Sequence, residues 1–346
     1  MSTRYTNFGS SLKRFARPLL LTGMLLGSLS ANALQAGMRQ MTVPGADPIP
    51  VALFYPTAAP AQTVNLGGVW RVDVALGGPV APELKGLIVL SHGTGGSELG
   101  HHQLATRLAQ EGYLVAALRH PHDNWEDRSL VTSRQYFTER PAQASRVLDA
   151  VLADPSWAAK IPAGRIGALG HSAGGFTVLS LAGAQSRPAV TFEHCRAVRD
   201  DGGFCGLAKG NPGQTNGDPS RAATAAVVTP STRDERIRAV VALAPMAVVL
   251  TPESLAQVKV PVRVYVAAKD DVLNGNYHGR FAAKNIPSAE LVEAPSAGHF
   301  AFMSKTTMNV ATDAGDPNAD PAGFDRAAYL AKLQEDLVAY FNAQLK

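Results

Sequence analysis

The sequence predicts an α/β fold: a mostly parallel central sheet with helices on both sides. Three observations predict it. Short apolar, β-branched runs alternate with stretches of helical period over most of the 346 residues. One of these runs, Ile166-Gly-Ala-Leu-Gly170, passes straight through His171-Ser-Ala-Gly174 into Phe176-Thr-Val-Leu-Ser-Leu-Ala182, the order strand, tight turn, helix. The chain closes on a helix that puts Leu330, Leu333, Leu337 and Phe341 on one face, the pattern of a helix packed on a sheet.

Taken in order, Val51–Tyr55 and Val69–Ala75 read as an antiparallel edge. Parallel strands follow near 87–90, 114–118, 166–170, 238–243, 261–267 and 289–293. Helices are expected near 99–111, 141–154, 173–184, 275–285 and 326–344. Residues 185–236 break the alternation with Gly-, Asp- and Pro-rich sequence, a lid-like insertion after the helix that follows Ser172. No long linker divides residues 38–346, which read as one domain.

The start of the chain reads differently. Arg4, Lys13, Arg14 and Arg17 precede a short apolar core, Pro18–Gly27, and an Ala31-Asn-Ala33 cleavage site, so residues 1–33 read as a signal peptide. The expected location is periplasmic or secreted, with no stable membrane span after cleavage; an uncleaved anchor is the alternative. This segment holds four of the 32 Lys and Arg and none of the 28 Asp and Glu, leaving 28 of each sign in the rest. A near-neutral mature chain gives no electrostatic reason for a nucleic-acid partner. Export also bears on the two cysteines, Cys195 and Cys205, for which an oxidising compartment favours a disulfide.

Gly170-His-Ser-Ala-Gly174 is the motif that carries chemistry. A serine hydroxyl needs a tight bend that exposes it and a base that takes its proton. Small residues at 170 and 174 let strand and helix approach, and the Ala173 N–H, just past Ser172 at a helix start, faces developing negative charge. The acid and the base are expected later in the chain, in that order. Asp270 follows the strand Val260–Ala267, with Asp271 as its rival. His299 follows the strand Ala289–Ala294. Ser91-His-Gly-Thr-Gly-Gly-Ser97, after the strand Gly86–Leu90, supplies Thr94 N–H as the second oxyanion donor beside Ala173. Met246 and Phe300 read as pocket residues or as core. His101 and His102 read as solvated, His171 as packing, and His120 and His122 lack the Cys or Glu partners of a metal site. The Asp-rich stretch 313–320 lacks EF-hand spacing and reads as a solvated loop.

These segments resemble the α/β-hydrolase superfamily, in its dienelactone-hydrolase-like branch, which also looks like platelet-activating-factor acetylhydrolases. The resemblance rests on Leu90–Ser97, Leu108–Ala117, Gly170–Gly175, Ala294–Phe300 and Gly323–Arg326, and runs from about residue 38 to the end. It implies a Ser-His-Asp esterase of small-molecule or lipid-like esters that needs no cofactor or metal. A serine peptidase or amidase on the same triad, and a polyester or lipid hydrolase, are the alternatives. The founding dienelactone hydrolases use a cysteine nucleophile where this chain has Ser172, and Ala267 stands where the family has glycine.

Overall fold

Strands covered by helices on both faces read as unbroken apolar runs, and three such runs build the centre of this molecule. The computed structural model describes residues 1–4, 6, 33–133, 135–209 and 227–346. The chain divides into Met1–Asn32 and Ala33–Lys346; the sheet and its helices belong to the second unit. The expected signal peptide lies almost wholly outside the described residues. Among the described residues no helix is long and apolar enough to cross a membrane.

Ten strands form the sheet: β1 Gln35–Val43, β2 Ile49–Thr57, β3 Gln62–Leu66, β4 Trp70–Leu76, β5 Gly86–Ser91, β6 Tyr113–Leu118, β7 Ile166–His171, β8 Ile237–Leu243, β9 Val262–Ala267 and β10 Ala289–Ala294. Their order is β10-β9-β8-β7-β5-β6-β2-β1-β4-β3. The six strands from β5 onward run parallel, while β2 pairs antiparallel with both β6 and β1. Antiparallel edge strands thus precede the parallel section, as expected. The expected runs are β2 and β4; beyond them the edge section holds β1, which pairs parallel with β4, and β3, which closes a hairpin with β4.

Among the described residues the helices are α1 His102–Glu111, α2 Tyr136–Ala153, α3 Ala173–Leu181, α4 Ala189–Ala197, α5 Gly202–Leu207, α6 Gly279–Asn285 and α7 Arg326–Gln344, with single turns of helix at Ser129–Thr132, Pro155–Ala158, Pro252–Leu255 and His299–Phe302. Successive strand residues face opposite sides of the sheet. In β5, Leu87 and Val89 join the core formed with α2, α3 and α6, whereas Ile88 and Leu90 join the core formed with α1 and α7. The predicted helix at 141 begins instead at Tyr136, with Pro141 inside it. The missing Pro N–H costs one helical bond; Phe137, packed edge-on against Phe176 at 5.5 Å, holds the extra turn in place.

The approach of β7 to α3 is as close as the glycines imply. A Cβ on Gly170 would sit 2.1 Å from the Gly174 carbonyl oxygen, and one on Gly174 would sit 1.9 Å from the Ser91 carbonyl oxygen. Backbone cannot yield as a flexible side chain can. Gly174→Ala is therefore expected to destabilise the protein by about 3 kcal/mol or more, read as a lowered denaturant midpoint at unchanged m-value.

Candidate active site

Parallel strands all end at the same edge of the sheet, so residues far apart in sequence meet there. The loops after β5, β7, β9 and β10 carry Thr94, Ser172, Asp270 and His299 respectively. Between β7 and α3 the chain turns so sharply that Ser172 takes φ 57° and ψ −118°. Positive φ in a residue with a Cβ stores strain, which the surroundings must hold. They do so by main-chain bonds: Ser172 N–H donates to Leu243 C=O at 3.0 Å, and Ser172 C=O accepts from Met246 N–H at 2.9 Å.

Asp270 and His299 form a buried pair. His299 Nδ1 donates to Asp270 Oδ2 at 2.7 Å, with both side chains 3% exposed. The other oxygen, Oδ1, accepts the N–H groups of Val272 at 2.9 Å and Leu273 at 2.7 Å. The structure thus sets Asp270 against His299, whereas Asp271 is exposed. With its proton on Nδ1, a neutral His299 presents Nε2 as an acceptor.

His171 joins this loop to the serine turn. Its Nε2–H donates to His299 C=O at 3.0 Å, and the two rings lie 4.8 Å apart. Burial holds the His171 imidazole well below its usual range, so it stays neutral. It does more than pack. His101 and His102 are not solvated: they are 2% and 4% exposed. His101 faces His171 at 5.1 Å, and Trp70 meets His102 edge-on at 5.9 Å. Burial pushes their pKa values down to about 3 and about 4.

Ser172, His299, Thr94, Ala173, Met246 and Phe300 all line one pocket of about 680 Å³. Ser172 Oγ makes no side-chain hydrogen bond among the described residues. Ala173 N–H opens α3 and so has no intrahelical acceptor. The N–H groups of Gly93 and Thr94 also lack a protein acceptor among the described residues, while that of Gly95 is taken by Asp123 Oδ1 at 2.9 Å.

The insertion contributes one wall. Cys195 and Cys205 are disulfide-bonded, tying α4 to α5, and Phe204, Leu207 and Ala208 line the pocket. Residues 210–226 of the insertion lie outside the described residues. Sequence reasoning missed what fastens this wall. Asp201 Oδ2 accepts from His194 Nε2 at 2.7 Å and His278 Nε2 at 3.0 Å, and its Oδ1 accepts from Asn274 N–H at 2.9 Å. Burial works to raise the Asp201 pKa, but these donors outweigh it and hold the carboxyl below its usual range. No spacing pattern links position 201 to position 278.

The remaining candidates have structural partners. His120 bonds Ser91 Oγ at 2.8 Å and Gln143 Oε1 at 2.7 Å, and His122 bonds Asp47 at 2.9 Å and Asp127 at 2.6 Å. Among the described residues no group of three His, Cys, Asp or Glu side chains is arranged to hold a metal ion. The stretch 313–320 is less free than its composition implies: Asp313 pairs with Arg128 beside the pocket, and Asp320 pairs with Lys305 and the buried Arg326.

No protein-family model matches this sequence, and no curated protein does. Solved structures do. A ferulic acid esterase from Streptomyces cinnamoneus is similar over 92% of this chain and 91% of its own, at 18% identity and a TM-score of 0.58. A dienelactone hydrolase from Anabaena variabilis aligns over 90% of this chain and 100% of its own, at 15% identity and a TM-score of 0.48. Strand order, the strand–serine–helix turn and the Streptomyces structure agree on the architecture: this chain has the α/β-hydrolase fold.

Proposed function

We propose that this protein hydrolyses carboxylic esters through an acyl-enzyme on Ser172, with His299 as base and acid and Asp270 as its orienting carboxylate. The observation that carries this reading is the buried Asp270–His299 hydrogen bond behind a pocket that also holds a serine at φ 57°. His299 Nε2 takes the Ser172 proton as Oγ attacks the ester carbonyl. The carbonyl oxygen becomes an oxyanion, held by the N–H groups of Thr94 and Ala173. Collapse expels the alcohol, which leaves with the proton from His299. Water then attacks the acyl-enzyme by the same route, releasing the acid and restoring Ser172. Asp270 keeps the imidazole in the tautomer that leaves Nε2 free, and its negative charge stabilises the imidazolium.

Pocket size bears on the substrate. An acetyl group fills a small part of about 680 Å³, and Trp70, Trp125, Tyr136, Phe204 and Met246 offer apolar surface to a larger group. A bulky acyl or aryl ester fits this space, a class to which the ferulic acid esters named for the Streptomyces protein belong. Each buried methylene contributes about 0.8 kcal/mol, so kcat/KM for p-nitrophenyl butyrate is expected roughly tenfold above that for the acetate. Residues 1–33 act as an export signal in this reading, and a Cys195–Cys205 disulfide suits an oxidising compartment.

The test is labelling by a fluorophosphonate together with turnover of a p-nitrophenyl ester series. Stoichiometric label on Ser172 and ester turnover are expected. A folded protein that does neither overturns the proposal, and faster turnover of a matched anilide than of the ester moves the assignment to an amidase.

A further inference from the structure

Arg140 is a charged side chain with no exposure, paired with an equally buried Asp123, and no step of the proposed reaction uses either. Burying such a pair is costly unless every donor and acceptor finds a partner. Here each of the pair's polar atoms finds one, and the partners lie on the two segments that carry Thr94 and Ala173. Toward the β5 loop, Arg140 Nη2 donates to His92 C=O and, at 3.4 Å, to Ser91 Oγ. Nη1 donates to Asp123 Oδ2, and Asp123 Oδ1 accepts the Gly95 N–H at 2.9 Å. Toward the nucleophile helix, Arg140 Nε donates to Thr177 Oγ1 at 3.1 Å, which itself donates to Ala173 C=O at 2.9 Å. The chain of bonds thus ends on His92 and Gly95, which bracket Gly93 and Thr94, and on Ala173.

Neighbouring contacts lock the same loop. His92 Nδ1 donates to Gly93 C=O at 2.6 Å, its Nε2 accepts from His120 N–H at 3.1 Å, and Thr94 Oγ1 meets Tyr136 OH at 2.9 Å. Burial, and then the Arg140 charge, keep His92 and His120 neutral. A planar guanidinium with five fixed donors can reach acceptors on two segments at once; a lysine ammonium on a flexible stem cannot hold both at set angles. An apolar side chain would fill the space and leave His92 C=O unpaired.

We propose that Arg140, with Asp123, is the positioning residue of the oxyanion hole, fixing the distance between the Thr94 and Ala173 N–H groups. The proposal rests on the serine-esterase reading above. Its consequence is selective: loosening the two donors weakens binding of the tetrahedral species and leaves binding of the planar ester unchanged.

The experiment compares wild type with Arg140→Gln, Arg140→Lys and Asp123→Asn, each assayed well below its melting temperature. Three readouts are taken: kcat, KM, and inhibition by an alkyl trifluoromethyl ketone, which forms a tetrahedral adduct on the serine. Arg140→Gln is expected to lose about 100-fold in kcat with KM within about threefold, and to bind the ketone about 100-fold more weakly. Arg140→Lys keeps the charge and reports if the glutamine variant does not fold; a loss of about tenfold or more is expected from it. Asp123→Asn retains an oxygen for Gly95 N–H and is expected to lose less than Arg140→Gln. Folded Arg140 variants with kcat and ketone affinity within about threefold of wild type overturn the proposal. So does a fall in kcat with unchanged ketone affinity. A wild type that neither turns over esters nor takes the fluorophosphonate removes the serine reading, and this proposal with it. An active wild type with indifferent variants removes this proposal alone.

Discussion

Ser172→Ala is expected to lower kcat for p-nitrophenyl butyrate by roughly 10⁵-fold or more, with KM little changed. The substitution isolates the hydroxyl. Alanine keeps the Cβ, so the strain at φ 57° is the same in both proteins. The bonds that hold the turn, to Leu243 C=O and from Met246 N–H, are main-chain and survive. Ser172 Oγ has no side-chain hydrogen bond to lose among the described residues. An unchanged circular dichroism spectrum and melting temperature are therefore expected beside the lost turnover, together with lost fluorophosphonate labelling. Activity within tenfold of wild type would place the nucleophile elsewhere.

Asp270→Asn is expected to lower kcat by about 10⁴-fold, while Asp271→Asn stays within about twofold. The asymmetry follows from the hydrogen bonds on the two oxygens of Asp270. Oδ1 accepts from the Val272 and Leu273 N–H groups, so an asparagine keeps its carbonyl oxygen on that side. Its NH₂ then faces His299 Nδ1, which must become the acceptor. The imidazole proton moves to Nε2, and the nitrogen that should take the serine proton already has one. Because the backbone bonds survive, the loss comes without unfolding. Asp271 is exposed and makes none of these contacts. A larger loss from Asp271→Asn than from Asp270→Asn would overturn the assignment.

The parallel strands were the most legible part of the sequence. Those expected at 87–90, 114–118 and 166–170 each lie within an observed, fully buried strand and differ from it by a residue or so at the ends. A strand buried on both faces has no polar positions to confuse its limits. β1 was harder, because Gly37-Met-Arg-Gln-Met-Thr-Val43 mixes exposed and buried positions. The order serine, acid, histidine was legible because each residue ends a parallel strand. Asp270 and Asp271 were not separable, since adjacent carboxylates read alike until the turn aims one at His299 and the other at water. The histidine pair at 101–102 misled: polar residues before a helix resemble a solvated start, and the rings they pack against, Trp70 and His171, are distant in sequence. Arg140, Asp123 and Asp201 were invisible for a related reason. Their meaning lies in partners that no local pattern links to them.

Asp201 has a consequence for anyone who redesigns this molecule. It bonds His194 in the insertion and, across the fold, His278 and the Asn274 amide, a few residues beyond Asp270. The segment that lines the pocket and the segment that carries Asp270 are thus bonded to each other through Asp201. Transplanting a foreign insertion to alter selectivity would cut that joint, so a working chimera must carry residues 270–278 across with the graft.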